Sequence, residues 1–145
     1  MKDVSLTPYI VVKPDSFAYV TVTSRNGEKI TLAHNDSDAT YIVSSSYIVF
    51  RVIYQELILS DYLSLFFNRS EFNHYARYCS WGSARETFDW TEMCEVQIPL
   101  PSLEVQQSIV NMYKCYMERR RIAAELKTKI KTICPILIKG SLENM

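Results

Sequence analysis

The side chains best suited to metal or thiol chemistry are Cys79, Cys94, Cys115 and Cys134, together with His34 and His74. Zinc sites commonly draw their ligands in Cys-x-x-Cys-like pairs, because one short turn then presents two sulfurs to the same ion. Here no two cysteines are closer than the 15 positions between Cys79 and Cys94, and the histidines stand far apart. The four cysteines are therefore read as buried free thiols, in keeping with a reducing compartment; no metal and no cofactor are expected. Cys79 or Cys94 with His74 would supply a nucleophile and a base, but no third group is in evidence to orient the base. Asp15 after Pro14, with Glu28-Lys29, has the residue types of a metal-nuclease core. Adjacent residues of a strand point to opposite faces, however, so Glu28 and Lys29 would not share a site.

Phosphate and nucleotide chemistry is equally poorly served. The only glycines are Gly27, Gly82 and Gly140, so neither a GxGxxG turn nor a Walker-type loop can be built. A methyltransferase would need a glycine loop for its cofactor and an Asn/Asp-Pro-Pro-aromatic motif, and both are missing. The chain is expected to be non-catalytic.

Recognition is better supported. Arg69, Phe72, His74, Tyr75, Arg77, Tyr78, Trp81, Arg85, Phe88 and Trp90 interleave cations with aromatics, a pattern that suits nucleic acid, although aromatics at helical spacing are more often core. Two loops combine an arginine with a glycine and small polar residues. One is Ser24-Arg25-Asn26-Gly27 with Lys29; the other is Ser80-Trp81-Gly82-Ser83-Ala84-Arg85. Such loops can approach a duplex closely, and a guanidinium fork matches phosphate oxygens or a guanine edge. The candidate DNA contacts are Ser24, Arg25, Asn26, Lys29, Ser80, Ser83 and Arg85. Charge qualifies this reading. The chain is neutral overall, yet residues 1–113 carry 8 Lys+Arg against 13 Asp+Glu, whereas residues 114–145 carry 8 against 3. Phosphate contacts need local positive charge, so the first part would need a local patch and help from partner subunits.

The elements that must position these loops follow from periodicity. Val, Ile, Thr, Tyr and Phe dominate Tyr9–Val12, Phe17–Thr23, Lys29–Ala33, Tyr41–Val43 and Tyr47–Ile53, which are expected strands. Asn26-Gly27 between two of them is a hairpin signal, and Asn35-Asp36-Ser37-Asp38 reads as a loop. Short helices are expected over Asp61–Asn68, with Leu63, Phe66 and Phe67 inward, and over Glu71–Tyr78, capped by Ser70, with Phe72 and Tyr75 on one face. A helical turn is expected within Phe88–Glu95 and a strand over Glu95–Ile98. The fold class is α+β: a twisted, mostly β domain with small helices, followed by one long helix.

That helix begins at Ser102 after Pro101. From there Val105, Ile109, Met112, Tyr116, Arg119, Ala123, Leu126, Ile130, Ile133 and Leu137 follow alternating steps of four and three, and every one but Arg119 is apolar. Sustained 3.5-residue spacing specifies a coiled-coil seam, with Ile109, Met112, Tyr116, Ala123, Leu126, Ile130 and Ile133 as its pairing residues. The alternative is a helix folded back on its own domain. Residues 104–134 would span about 46 Å at 1.5 Å per residue, and Pro135 is expected to end or kink the helix. The domains expected are 1–101 for recognition, 102–137 for the helix and 138–145 for a tail. The N-terminus lacks a signal-peptide core, and no apolar stretch reaches the roughly 20 residues of a membrane span. A soluble, cytoplasmic protein is expected.

Residues 80–110 resemble the end of a target recognition domain in type I restriction-modification specificity subunits. Gly82 lies in a loop, Phe88–Met93 would be a short helix, Ile98-Pro99-Leu100-Pro101 is the proline-flanked turn, and Leu103, Gln106 and Ile109 make a Leu-x-x-Gln-x-x-Ile helix entry. Residues 6–33, Ser44–Phe50 and Asp61-Tyr62-Leu63 are similar to earlier parts of such domains. The resemblance implies a component that reads DNA and performs no chemistry. It also implies modification subunits that methylate adenine from S-adenosylmethionine, restriction subunits that cleave, and a spacer helix that pairs with another. One recognition domain is present where the family's full subunit has two, and its N-terminal part is short. The chain is expected to be a C-terminal or half-subunit fragment, a possible homodimer or partner of another such fragment. The alternative is an interaction fragment that pairs through its helix without reading DNA.

Overall fold

The computed structural model describes residues 9–22, 29–82 and 86–143, with side chains as far as residue 139. Among them are five strands, β1 (Tyr9–Val12), β2 (Ser16–Val20), β3 (Thr31–His34), β4 (Tyr41–Ser44) and β5 (Tyr47–Arg51), then four helices, α1 (Ser60–Phe67), α2 (Ser70–Tyr78), α3 (Trp90–Cys94) and α4 (Leu103–Glu143). The α+β class is as the sequence implies. Two compact units divide the chain, Met1–Gln107 and Ser108–Met145.

All strand pairs are antiparallel. β1 pairs with β4, while β2 lies between β3 and β5 in a three-stranded sheet. As the central strand, β2 is buried over Ser16–Tyr19, so alternation of exposure is lost there. Its ladder with β3 stops at Val20 opposite Thr31, which leaves ten residues, 21–30, between the strands. Asn26-Gly27, the expected hairpin, lies outside the described residues.

The β1–β2 turn places Asp15 at φ 57°. Asp is one of the few residues that visits this left-handed region readily, because its short side chain can bond locally. Asp15 Oδ1 lies 3.1 Å from His34 Nε2, and Oδ2 accepts from Gln55 Nε2 at 2.9 Å. His34 also stacks on Phe17, with ring centroids 4.5 Å apart, and its Nδ1 lies 3.8 Å from Asp61 at the start of α1. Asp15 and His34, far apart in sequence, thus join the turn, β3 and α1.

The core is largely aromatic. Phe17 and Tyr19 of β2 meet Leu63, Phe66 and Phe67 of α1, Phe72 and Ala76 of α2, and Phe88 and Met93. Phe17 stacks on Phe50 at 5.1 Å, and Phe67 tilts onto Phe72 at 4.8 Å. Offset and edge-to-face ring pairs of this kind add about 0.5–1.5 kcal/mol beyond area burial. The inward residues expected of α1 are all buried; on α2, Phe72 is buried and Tyr75 is exposed.

Several local expectations are corrected. Ser70 is the first residue of α2 rather than its cap; Arg69 occupies the cap position, and the Ser70 hydroxyl donates to Glu71. Glu95–Ile98 forms no strand. Val96 and Ile98 pack on the core while Glu95 and Gln97 are exposed, so the alternation is real but no ladder partner is there. All four cysteines are free, but Cys94, Cys115 and Cys134 are exposed and Cys79 is half-buried. Pro135 lies inside α4, which continues to Glu143. Proline removes one amide donor, and here the helical ladder resumes with Ile136-Leu137-Ile138 beyond it.

Candidate nucleic-acid interface

The two glycine-containing loops are built from opposite ends of the domain's sequence, and the structure brings their roots together. Beyond β2, Val22 forms an antiparallel bridge with Thr87, and Thr87 forms a second with Trp81. The Thr87 amide donates to the Trp81 carbonyl at 2.9 Å, and the Trp81 amide returns a bond to Thr87 at 3.2 Å. Val22 leads into residues 23–28, while Trp81 and Thr87 flank residues 82–86. The described residues that lead into 23–28 and flank 82–86 therefore share one short three-segment ladder.

Further bonds hold these roots. The Ile30 amide, at the far end of the first loop, donates to Asn73 Oδ1 of α2 at 3.0 Å, and Asn73 in turn donates to the Arg69 carbonyl. After the second loop, the Phe88 amide donates to Thr21, and the buried Tyr19 hydroxyl donates to the Phe88 carbonyl at 3.3 Å. Burial first, then the charges of Asp89 and Cys94, hold the Tyr19 phenol above its ordinary range, so it stays a hydrogen-bond donor. Gly82 has φ 123°, a conformation that a Cβ would oppose, which accounts for glycine at the start of this turn.

Of the candidate contacts, Lys29 is exposed beside the first loop's root. Ser80 is half-buried, and its hydroxyl donates to the Ala76 carbonyl at 2.6 Å. That bond engages the hydroxyl proton at the end of α2. Ser24, Arg25, Asn26, Ser83 and Arg85 lie outside the described residues. Two aromatics adjoin the second root with large exposure, Tyr78 at 89% and Trp81 at 63%. Both belong to the interleaved segment, and Trp81 also to its loop motif, but neither is among the candidate contacts. Their exposure depends on where α2 ends, which helical spacing alone leaves open.

Other groupings are less suited to DNA. A groove of about 380 Å³ runs between α1, α2 and residues 95–97, lined by Phe66, Arg69, Glu71, Phe72, Tyr75 and Glu95 among others. The Arg69 guanidinium covers the Phe66 ring at 4.1 Å, and Glu71 is held below its usual range chiefly by its own backbone amide at the start of α2. Asp15, considered above for metal chemistry, has both oxygens engaged by His34 and Gln55. No cluster of three potential ligands occurs among the described residues.

The proposed pairing residues of α4 are accounted for individually. Met112, Tyr116, Ala123, Leu126, Ile130 and Ile133 are exposed, and Ile109 is half-buried. Among the described residues no helix is long and apolar enough to cross a membrane.

No curated protein sequence matches this chain. A protein-family model, the type I restriction modification DNA specificity domain, matches residues 17–132, which include all but the first residue of β2, then β3 to β5, α1 to α3 and most of α4. With most of its length matched, the chain belongs to the type I restriction-modification DNA specificity domain family.

Proposed function

We propose that this chain is the sequence-reading component, or half of it, in a cytoplasmic type I restriction-modification complex. Residues 1–101 serve as the recognition domain. Ser24, Arg25, Asn26 and Lys29 on one loop, and Ser80, Ser83 and Arg85 on the other, supply contacts to phosphates and base edges of duplex DNA. The helix over 102–137 pairs through Ile109, Met112, Tyr116, Ala123, Leu126, Ile130 and Ile133. Modification and restriction subunits bring methyl transfer and cleavage, and the chain itself performs neither.

The observation that supports this reading most is the shared ladder of Val22, Thr87 and Trp81. Two arginine-bearing loops with adjacent roots could engage one stretch of duplex, whereas loops on opposite faces could not. The acidic balance of residues 1–113 is consistent with binding that depends on partner subunits, because non-specific affinity comes mainly from phosphate contacts.

The test uses the chain reconstituted with a modification subunit. Arg25→Ala and Arg85→Ala should each weaken cognate binding. An arginine on a base edge should narrow the gap between cognate and random DNA by about 1–3 kcal/mol. One on a phosphate should weaken both and lower the salt slope by about one. If both variants bind cognate DNA like the parent, the loops do not read it.

A second reading, an interaction fragment that pairs through α4 without reading DNA, is favoured by the exposed apolar stripe of that helix. A complex that assembles normally through α4 yet binds cognate and random DNA equally would select it.

A further inference from the structure

The charges on α4 bear on which helix it pairs with. If Ile109, Tyr116, Ala123, Ile130 and Leu137 take the a positions of a heptad, Met112, Arg119, Leu126 and Ile133 take d. The positions flanking this seam are then Tyr113, Arg120, Lys127 and Cys134 on one side and Cys115, Ile122, Lys129 and Ile136 on the other. From Tyr113 to Ile136 the flanks hold three cations and no carboxylate. The helix's acids as far as residue 139, Glu104, Glu118 and Glu125, all fall at c, away from the seam. Two of them are already engaged there, because Arg121 bonds both Glu118 and Glu125. Residues 111–139 are exposed, the seam and its flanks included.

Flanking charges set partner choice and orientation in helix pairs, and like charges set opposite each other are repulsive. An antiparallel pair of two copies that overlaps the whole stripe from Met112 to Leu137 is centred between Ala123 and Leu126. It sets Arg120 against Lys127 of the other copy, twice, and leaves Arg119 in the seam facing Ile130 with no acid to receive it. A parallel pair sets the two Arg119 guanidiniums against each other. Neither arrangement offers an opposite charge at any flank.

Resting on the reading of α4 as a pairing helix, we propose that its occupant is a helix with an apolar seam and carboxylates at its flanking positions, and that α4 discriminates against a second copy of itself. Arg119 is then a selector, tolerated in the seam only beside a partner's acid. A single polar seam residue of this kind fixes register at some cost in stability.

Two synthetic helical peptides with the same leucine and isoleucine seam, one with glutamate at every flanking position and one with lysine, test this against the full-length chain. Fluorescence anisotropy should give about tenfold or tighter binding of the acidic peptide at low salt, as a few flanking ion pairs of ordinary strength would provide. The gap should shrink as salt shortens the Debye length. The exposed-site triple variant Arg120→Glu/Lys127→Glu/Lys129→Glu should reverse the preference. Equal binding of the two peptides, or self-association as tight as acidic-peptide binding, overturns the charge selection while leaving the seam intact. Absence of binding to either peptide, with no self-association, overturns the pairing reading as well.

Discussion

The Gln106 side chain reaches from the first turn of α4 to Leu59 at the start of α1, where its Oε1 accepts the Leu59 amide at 3.0 Å. The Nε2 of the same residue donates to the carbonyls of Leu57 and Pro101 at 2.9 and 2.8 Å. Gln106 is fully buried, and these three bonds satisfy a side chain that would otherwise be costly to bury. This is the physical content of the glutamine in the Leu-x-x-Gln-x-x-Ile helix entry.

Gln106→Leu keeps most of the volume but strands one amide and two carbonyls. We expect a loss of about 2–4 kcal/mol, since each buried group left unpaired costs about 1–3 kcal/mol and some will recover water. Urea unfolding of the variant checks this, and a midpoint equal to the parent's would show that Gln106 is dispensable.

Much of the fold is legible because packing and pattern agree. The strands of residues 9–53 stand where β-branched and aromatic residues cluster, and Phe66, Phe67 and Phe72 fall inward as helical spacing requires. Most of the failures depend on partners distant in sequence, and one on a local shift of a helix start. Glu95–Ile98 alternates like a strand but has no ladder to join. Ser70 has the chemistry of a cap, but the chain enters the helix one residue earlier. His34 gives no sign in sequence that Asp15, Phe17 and Asp61 surround it. The candidate loops were visible as composition, but the Val22–Thr87–Trp81 ladder that adjoins their roots was not, because isolated bridges leave no periodic trace.

Asp15 should tolerate glycine better than alanine. Both substitutions remove the bonds to His34 and Gln55, but alanine must also adopt φ 57°, which costs about 1–2 kcal/mol for a residue with a Cβ. Thermal unfolding of Asp15→Gly and Asp15→Ala should rank glycine above alanine; the reverse order would mean that the turn relaxes.

Tyr19 makes stability sensitive to alkali. Its folded pKa is raised above the usual value near 10. The associated stability is therefore fully present below about pH 10 and is lost as pH rises toward the folded value. Tyr19→Phe should be less stable at neutral pH by about 1 kcal/mol, the worth of its bond to the Phe88 carbonyl. Its stability should fall less steeply than the parent's above pH 10. Parallel pH profiles would remove Tyr19 from the account.

The seam of α4 makes its own prediction. Leu126→Glu/Ile130→Glu sets two unpaired charges into any helix pair, at several kcal/mol if they stay buried. Pairing with another chain of the family, or with the acidic probe helix, should be abolished while circular dichroism of the domain is retained. Undiminished association measured by sedimentation would discard this seam.

In the function proposed, this chain tells a DNA-binding assembly which sequence to hold. Selection of bound duplexes from a random pool, by the modification subunit with and without the chain, tests it most directly. We expect a defined consensus only when the chain is present, weakened or altered by Arg25→Ala/Arg85→Ala. A bound pool with no consensus, or the same consensus without the chain, would contradict it.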